Sequence, residues 1–175
     1  MISQSIKGIY RDVLCNRDGS VRFDSGWKSN TIVQGCHILL AGFMNGSNHA
    51  EGIQFLAVGM GEPAWDNLAT IPATPPDATN LVARAADMIP LEQMTLAYLD
   101  ASGDPTTTPT PRLQIVTTLA EDFPTPPNGQ ATYPLREFGL FGRFDGVDYM
   151  INCIRHRVIH KDTASTLVRT IQLTF

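Results

Sequence analysis

Two histidines four residues apart, His156 and His160, are the first pair in this chain with a spacing known from metal sites. That offset serves a metal when it lies on one face of a helix. Here the surrounding residues alternate as a strand does, which sets the two rings about 13 Å apart. No acid or thiol completes a set, so no metal is expected. Gly59-Met60-Gly61 has the look of a phosphate-cradling turn, but that motif needs a third glycine and a helix opening at once. Glu62-Pro63-Ala64-Trp65-Asp66 follows instead, with an acid where an anion would bind. The glycines are better read as a strand end in positive φ, or as a point pressed against another backbone. Glu121-Asp122 is an adjacent acid pair with no partner assignable for glycosidic chemistry. No Gly-x-Ser-x-Gly elbow and no Cys/His nucleophile pair is present. The sequence therefore points to no catalytic residue, no cofactor-binding residue and no enzyme.

Other polar residues read as structural. Cys15, Cys36 and Cys153 are widely separated and suit buried small hydrophobes. His37, within an apolar helical pattern, suits a hydrogen-bonded core or interface position, and His49, in a polar turn, suits solvent. Arg155-His156-Arg157 and Lys161 are too few for a nucleic-acid surface and read as a solvated strand face.

Two features stand out. Arg136 and Glu137 lie within Leu135-Arg136-Glu137-Phe138-Gly139-Leu140-Phe141. Strict alternation sends Glu137 to the face of Leu135 and Phe141, and Arg136 to that of Phe138 and Leu140. An unpaired charge among such side chains is costly. At least one of the two needs a partner, in this chain or in a neighbouring subunit, unless the strand is an edge that leaves both wet. Trp65, in a polar loop, either folds back over the core or anchors a partner.

The elements that must position these residues follow from composition and periodicity. A chain of 175 residues can bury one sizeable core, and 43% hydrophobic with 17% charged residues describes a globular protein. The net charge of −4 gives no footprint for nucleic acid or an anionic membrane. The longest apolar stretch, 32–44, is broken by Gln34, Gly35 and His37, too short to span a bilayer. The N-terminus lacks the basic and apolar regions of a signal peptide, which implies synthesis and folding in the cytoplasm. All 12 prolines fall between Pro63 and Pro134, and residues 47–134 carry ten acids against Arg84 and Arg112. One domain is expected: an N-terminal hairpin (1–26), a helix plus core strand (27–62), an acidic Pro-rich loop-and-strand region (63–134) and C-terminal antiparallel strands (135–175).

In the first segment, Asn16-Arg17-Asp18-Gly19 is the turn of a hairpin. Ser29 or Asn30 can cap a helix over about 30–45, whose apolar positions include Ile32, Val33, Cys36, Leu39, Leu40 and Phe43, with Gly46 as its stop. Residues 53–59 read as a buried strand and 62–79 as a long loop. Residues 81–89 fit helix or strand; Pro90 favours strand over 83–89, continuing through 94–99. Leu113, Ile115, Thr117 and Leu119 share one face. Strands over 135–141 and 149–159 meet at a turn around Asp145-Gly146, and Leu167, Arg169, Ile171 and Leu173 alternate strictly with polar neighbours. The tally of seven or eight strands and one helix predicts a mainly β fold, an antiparallel β-sandwich-like domain with long Pro-rich loops.

The order of these pieces resembles a family. Trp27-x-Ser29-Asn30-x-Ile32-Val33, Leu56-Ala57-Val58-Gly59-Met60-Gly61, Arg136-Glu137-Phe138-Gly139-Leu140-Phe141 and Met150-Ile151-Asn152 precede a terminal Leu-x-Arg-Thr-Ile-x-Leu strand. Together they resemble the tail-fibre N-terminal and tail-collar-type structural proteins of contractile-tailed phages and phage-like particles. The resemblance implies a virion protein assembled in the bacterial cytoplasm, at a baseplate, fibre-attachment or neck/collar position. It implies partners among tail, baseplate, neck or fibre proteins, and a homo-oligomer of trimer or ring copy number. With no repetitive shaft after Phe175, the expected role is attachment. The alternative is a stand-alone β-sandwich module that binds carbohydrate or peptide.

Overall fold

The computed structural model describes residues 5–175, so residues 1–4 of the expected N-terminal segment lie outside it. The strands, in chain order, are β1 (Lys7–Cys15), β2 (Val21–Asp24), β3 (Lys28–Ser29), β4 (Thr31–Ile32), β5 (Ala50–Gly59), β6 (Arg84–Pro90) and β7 (Met94–Leu99). They continue with β8 (Pro105–Thr106), β9 (Arg112–Leu119), β10 (Thr132–Phe144), β11 (Val147–Met150), β12 (Asn152–Asp162) and β13 (Thr166–Thr174). One α-helix, α1 (Gln34–Met44), lies between β4 and β5. Two antiparallel sheets result, β2-β1-β13-β9-β7-β8 with β3 on β1, and β4-β12-β10-β5-β6 with β11 on β10. The β-sandwich-like architecture expected from the alternating segments is thus present. The strand tally rises because several short pieces of two residues pair at sheet edges.

The core lies between the sheets. In the first sheet, β1 contributes Tyr10 and Leu14, β9 Ile115 and Leu119, and β13 Leu167, Ile171 and Leu173. In the second, Leu56, Val58, Leu135, Phe138 and Leu140 face them. Burying a side chain of this size contributes about 1.5–3 kcal/mol. The second sheet is also covered on its outer face, where Phe55, Ala57, Leu81, Phe141 and Met150 form a smaller cluster. Burial on both faces explains why residues 53–59 read as a continuous apolar run rather than an alternation.

Several local expectations change. The helix does not start at Ser29 or Asn30. Lys28–Ser29 and Thr31–Ile32 are strand pieces, and the cap position falls to Val33, extended at φ −107 and ψ 165. Ile32 pairs with Asn152, and the Val33 N–H donates to Ile151. β-Branched residues next to a free strand edge gain more as a ladder than as the first turn of a helix. The expected stop holds: Gly46, at φ 72, donates to Phe43, and Ser47 donates to Gly42. His37 is exposed rather than in the core. Residues 84–90 are strand, but β6 and β7 do not form one continuous element. After Pro90 the chain turns through a short 3-10 segment, Leu91–Gln93, and crosses to the other sheet. The turn at Asp145-Gly146 is present, both residues with positive φ as a two-residue hairpin requires.

Candidate functional site

A bulge in the β10–β12 pairing, with its extra residues on β12, sets the geometry of the charged pair. Pairing with β12 runs regularly through Leu135↔Ile159, then resumes at Glu137↔Arg155. The extra residues break alternation, so Arg136 and Glu137 leave by the same, outer face. Leu135, Phe138 and Leu140 all enter the inner core, while Phe141 joins the outer cluster. The alternation predicted for Arg136 and Glu137 is therefore corrected.

Both charges are spent on the long loop 62–83, which lies across this face. Arg136 grips Asp66 with two hydrogen bonds (Nε 3.0 Å, Nη2 2.7 Å) and donates through Nη1 to the Met60 carbonyl at 2.9 Å. The guanidinium holds the Asp66 carboxyl below the usual carboxylate range. Glu137, wholly buried, accepts the Val82 and Ala83 backbone N–H groups at 3.0 and 2.7 Å. One charge anchors the start of the loop and its neighbour anchors the end. Arg157 donates to the carbonyls of Trp65, Asp66 and Ala69, and Arg155 to those of Pro72 and Ala73. A proline-rich loop offers carbonyls in excess of N–H donors, and arginine's five donors match that surplus.

Trp65 is 3% exposed, packed under the Arg155 guanidinium (5.0 Å to the ring centroid) and against Gly61. The structure thus brings Trp65, Arg136 and Glu137 into one network, and folds Trp65 into the molecule instead of offering it to a partner. Both readings of the glycine pair hold. Gly61 has φ +53, and a side chain on Gly59 would strike Glu137 and the Ala83 carbonyl.

A second charged cluster lies in the core, and neither Asp12 nor Arg169 was singled out from sequence. Arg169 of β13 grips Asp12 of β1 at 2.7 and 2.8 Å, both side chains essentially inaccessible. Its guanidinium covers the Phe138 ring at 3.4 Å. The signal was available, because Asp12 alternates with Tyr10 and Leu14 just as Arg169 does with Leu167 and Ile171. His156 faces the same spot: its Nδ1–H donates to the Arg157 carbonyl at 2.7 Å, and Nε2 stands 3.4 Å from Arg169 Nη2. Burial first, and the Arg169 charge second, push its pKa down to about 4. The residue is a neutral core histidine, not part of a solvated face.

Lys161 also departs from that expectation. It is buried, donates to the Ala120, Glu121 and Asp162 carbonyls, and has its pKa lowered chiefly by burial. His160 is exposed, so the two histidines do not converge. Among the described residues no three His, Cys, Asp or Glu side chains gather in a metal-binding group.

One open concavity is mainly apolar. A cleft of about 310 Å³ at one end of the sandwich is lined by Leu40 and Phe43 of α1, Leu96 and Tyr98 of β7, and Phe175. Phe43, Leu96, Tyr98 and Phe175 keep between 37% and 45% of their surface exposed there. Comparison with known proteins found no matching family model, no matching curated protein and no matching solved structure.

Proposed function

We propose that this chain is a structural, non-enzymatic subunit of a phage tail or phage-like contractile particle, docking fibres or neighbouring subunits at the baseplate, fibre-attachment or neck/collar position. The observation that carries the reading is how the polar groups are used. The convergent charged side chains clamp the chain's own loop or cross-link its own strands, whereas the cleft at the end of the sandwich is lined mainly by apolar side chains. A body braced in this way suits holding partners in register, and the resemblance of the run Arg136–Phe141 and its neighbours supplies the particle. Homo-oligomerisation to a trimer or ring belongs to the same proposal. The experiment is immunogold labelling of purified particles, together with deletion of the gene. Label at one fixed place on the tail, and particles lacking fibres or baseplate parts after deletion, are expected. Unlabelled wild-type particles and normal particles after deletion would sink it.

A stand-alone β-sandwich binding module is the second reading, favoured by the aromatic lining of Phe43, Tyr98 and Phe175. With so few polar groups in that lining, a peptide suits it better than a sugar, whose hydroxyls need hydrogen-bond partners. A purified protein that is monomeric, absent from particles and binds peptides would favour this reading.

A further inference from the structure

The cleft adjoins a strand edge left without a partner. β6 covers β5 only as far as Phe55↔Pro90. There the chain leaves for the other sheet, so residues 50–54 of β5 have β10 on one side and, among the described residues, no strand on the other. The edge is accessible: Glu51 and Gly52 are exposed, and a side chain on Gly52 would meet nothing within 4 Å. Facing this gap from the first sheet are Leu96 and Tyr98, inner-face residues half uncovered because the second sheet is one strand short there.

We propose that this gap is a β-augmentation site: an extended segment of a partner protein adds beside residues 50–54 in the place β6 vacates and seats one bulky apolar side chain in the cleft. Unpaired backbone N–H and C=O groups are complemented best by another extended backbone, and the cleft volume accepts one large side chain or two small ones. Charge at the lips narrows the partner further. Glu51 and Asp104 are exposed, Asp100 at the end of β7 is part-buried and accepts the Ser102 and Asp104 N–H groups, and none of the three has an ion-pair partner among the described residues. The nearby bases offset them only in part: Arg112, bound to the Asp100 and Ala101 carbonyls, keeps its charge against these three acids, and Arg143 pairs with Asp148. Lys7 begins β1, which β13 and β9 separate from β7. The segment is therefore basic on either side of its apolar anchor. The proposal deepens the docking role and rests on it.

The probe is a capped synthetic peptide, Lys-Val-Phe-Val-Lys, titrated into isotope-labelled protein while amide chemical shifts are followed. Shifts confined to 51–54, Leu96, Tyr98 and the end of α1 are expected. Methylating the two valine nitrogens of the probe should weaken binding about tenfold, as expected for losing one or two net hydrogen bonds. Glutamate in place of its lysines should weaken it too, as should Tyr98→Lys in the protein. The modified probes keep the test valid should that variant fold poorly. No shifts at millimolar probe, shifts elsewhere, or equal binding by the methylated probe would overturn the proposal. Sedimentation of the protein alone supplies the other arm: concentration-dependent dimers abolished by Tyr98→Lys would make the occupant a second copy and overturn a foreign partner. A failed titration with particles still labelled removes the cleft and leaves the docking role. Unlabelled particles with a successful titration do the reverse.

Discussion

Two of the molecule's bidentate Arg–Asp pairs, Arg169–Asp12 and Arg136–Asp66, look alike in a contact diagram and differ in what they hold. Arg169–Asp12 lies between the sheets with both side chains at 1% exposure or less, and joins positions 157 residues apart. Arg136–Asp66 lies on the outer face, with Asp66 still 30% exposed, and fastens a loop to a strand. The inner pair was desolvated completely and is bound into the two strands that neighbour each other at the centre of the first sheet. The outer pair keeps one side in water, where screening weakens it. The same chemistry thus serves registration of the fold in one place and attachment of a loop in the other.

Removing one partner of the inner pair should give the largest effect. Asp12→Ala leaves the Arg169 guanidinium buried without its counter-charge and should cost about 3–5 kcal/mol in urea unfolding. The Asp12→Leu, Arg169→Met double variant should recover most of that. A loss below about 1 kcal/mol for the single variant would mean that water reaches the site. Next comes Glu137→Ala, which strips two backbone N–H groups of their charged acceptor. A loss of more than about 2 kcal/mol is expected, with new protease cleavage within 62–83. Unchanged cleavage would show that the arginines hold the loop alone.

His156 makes the inner region sensitive to pH. Its folded pKa of about 4 lies below the ordinary 6.5, so the unfolded chain takes up the proton first as pH falls. The contribution of neutral His156 is complete above pH 6.5 and is lost progressively between 6.5 and 4, by up to about 1.4 kcal/mol per pH unit. Asp24 and Asp162, held at about 2 by Arg11 and Arg22 respectively, lose their contributions only below the ordinary carboxylate range. Denaturation midpoints between pH 7 and 4 should fall in the wild type and flatten in His156→Gln. Equal slopes would assign the effect to other groups. The smallest change is expected from Asp66→Asn, below about 1 kcal/mol, because Arg136 retains the Met60 carbonyl and the pair is part exposed. A larger loss would remove the distinction between the two pairs.

How legible these regions were depended on whether alternation survived. β13 and β9 alternate without interruption, and their buried faces were readable residue by residue, Arg169 included among its apolar neighbours. Reading Arg169 as a buried charge needed only the question of what an arginine does on such a face. Around Arg136 the rule failed because the β10–β12 bulge reverses parity, and a bulge leaves no reliable mark in a single sequence. The short strands β3 and β4 were mistaken for a helix start for a related reason. Their pairing partners, in β1 and β12, are remote in the chain, and local propensity cannot count them.

By itself, the sequence determined the sheet-forming character, the core faces of the regular strands, the hairpin turns and the requirement that Arg136 or Glu137 find a partner. Those follow from local periodicity, backbone chemistry and the cost of burying charge. Only the tertiary structure decided that both charges turn inward onto the chain's own loop, that Trp65 closes beneath an arginine, and that Asp12 meets Arg169. It alone also decided that β6 ends early and leaves part of β5 unpaired beside an apolar cleft. Each of these depends on which distant strand lies alongside, and strand neighbours are chosen by the packing of the whole core rather than by any segment within it.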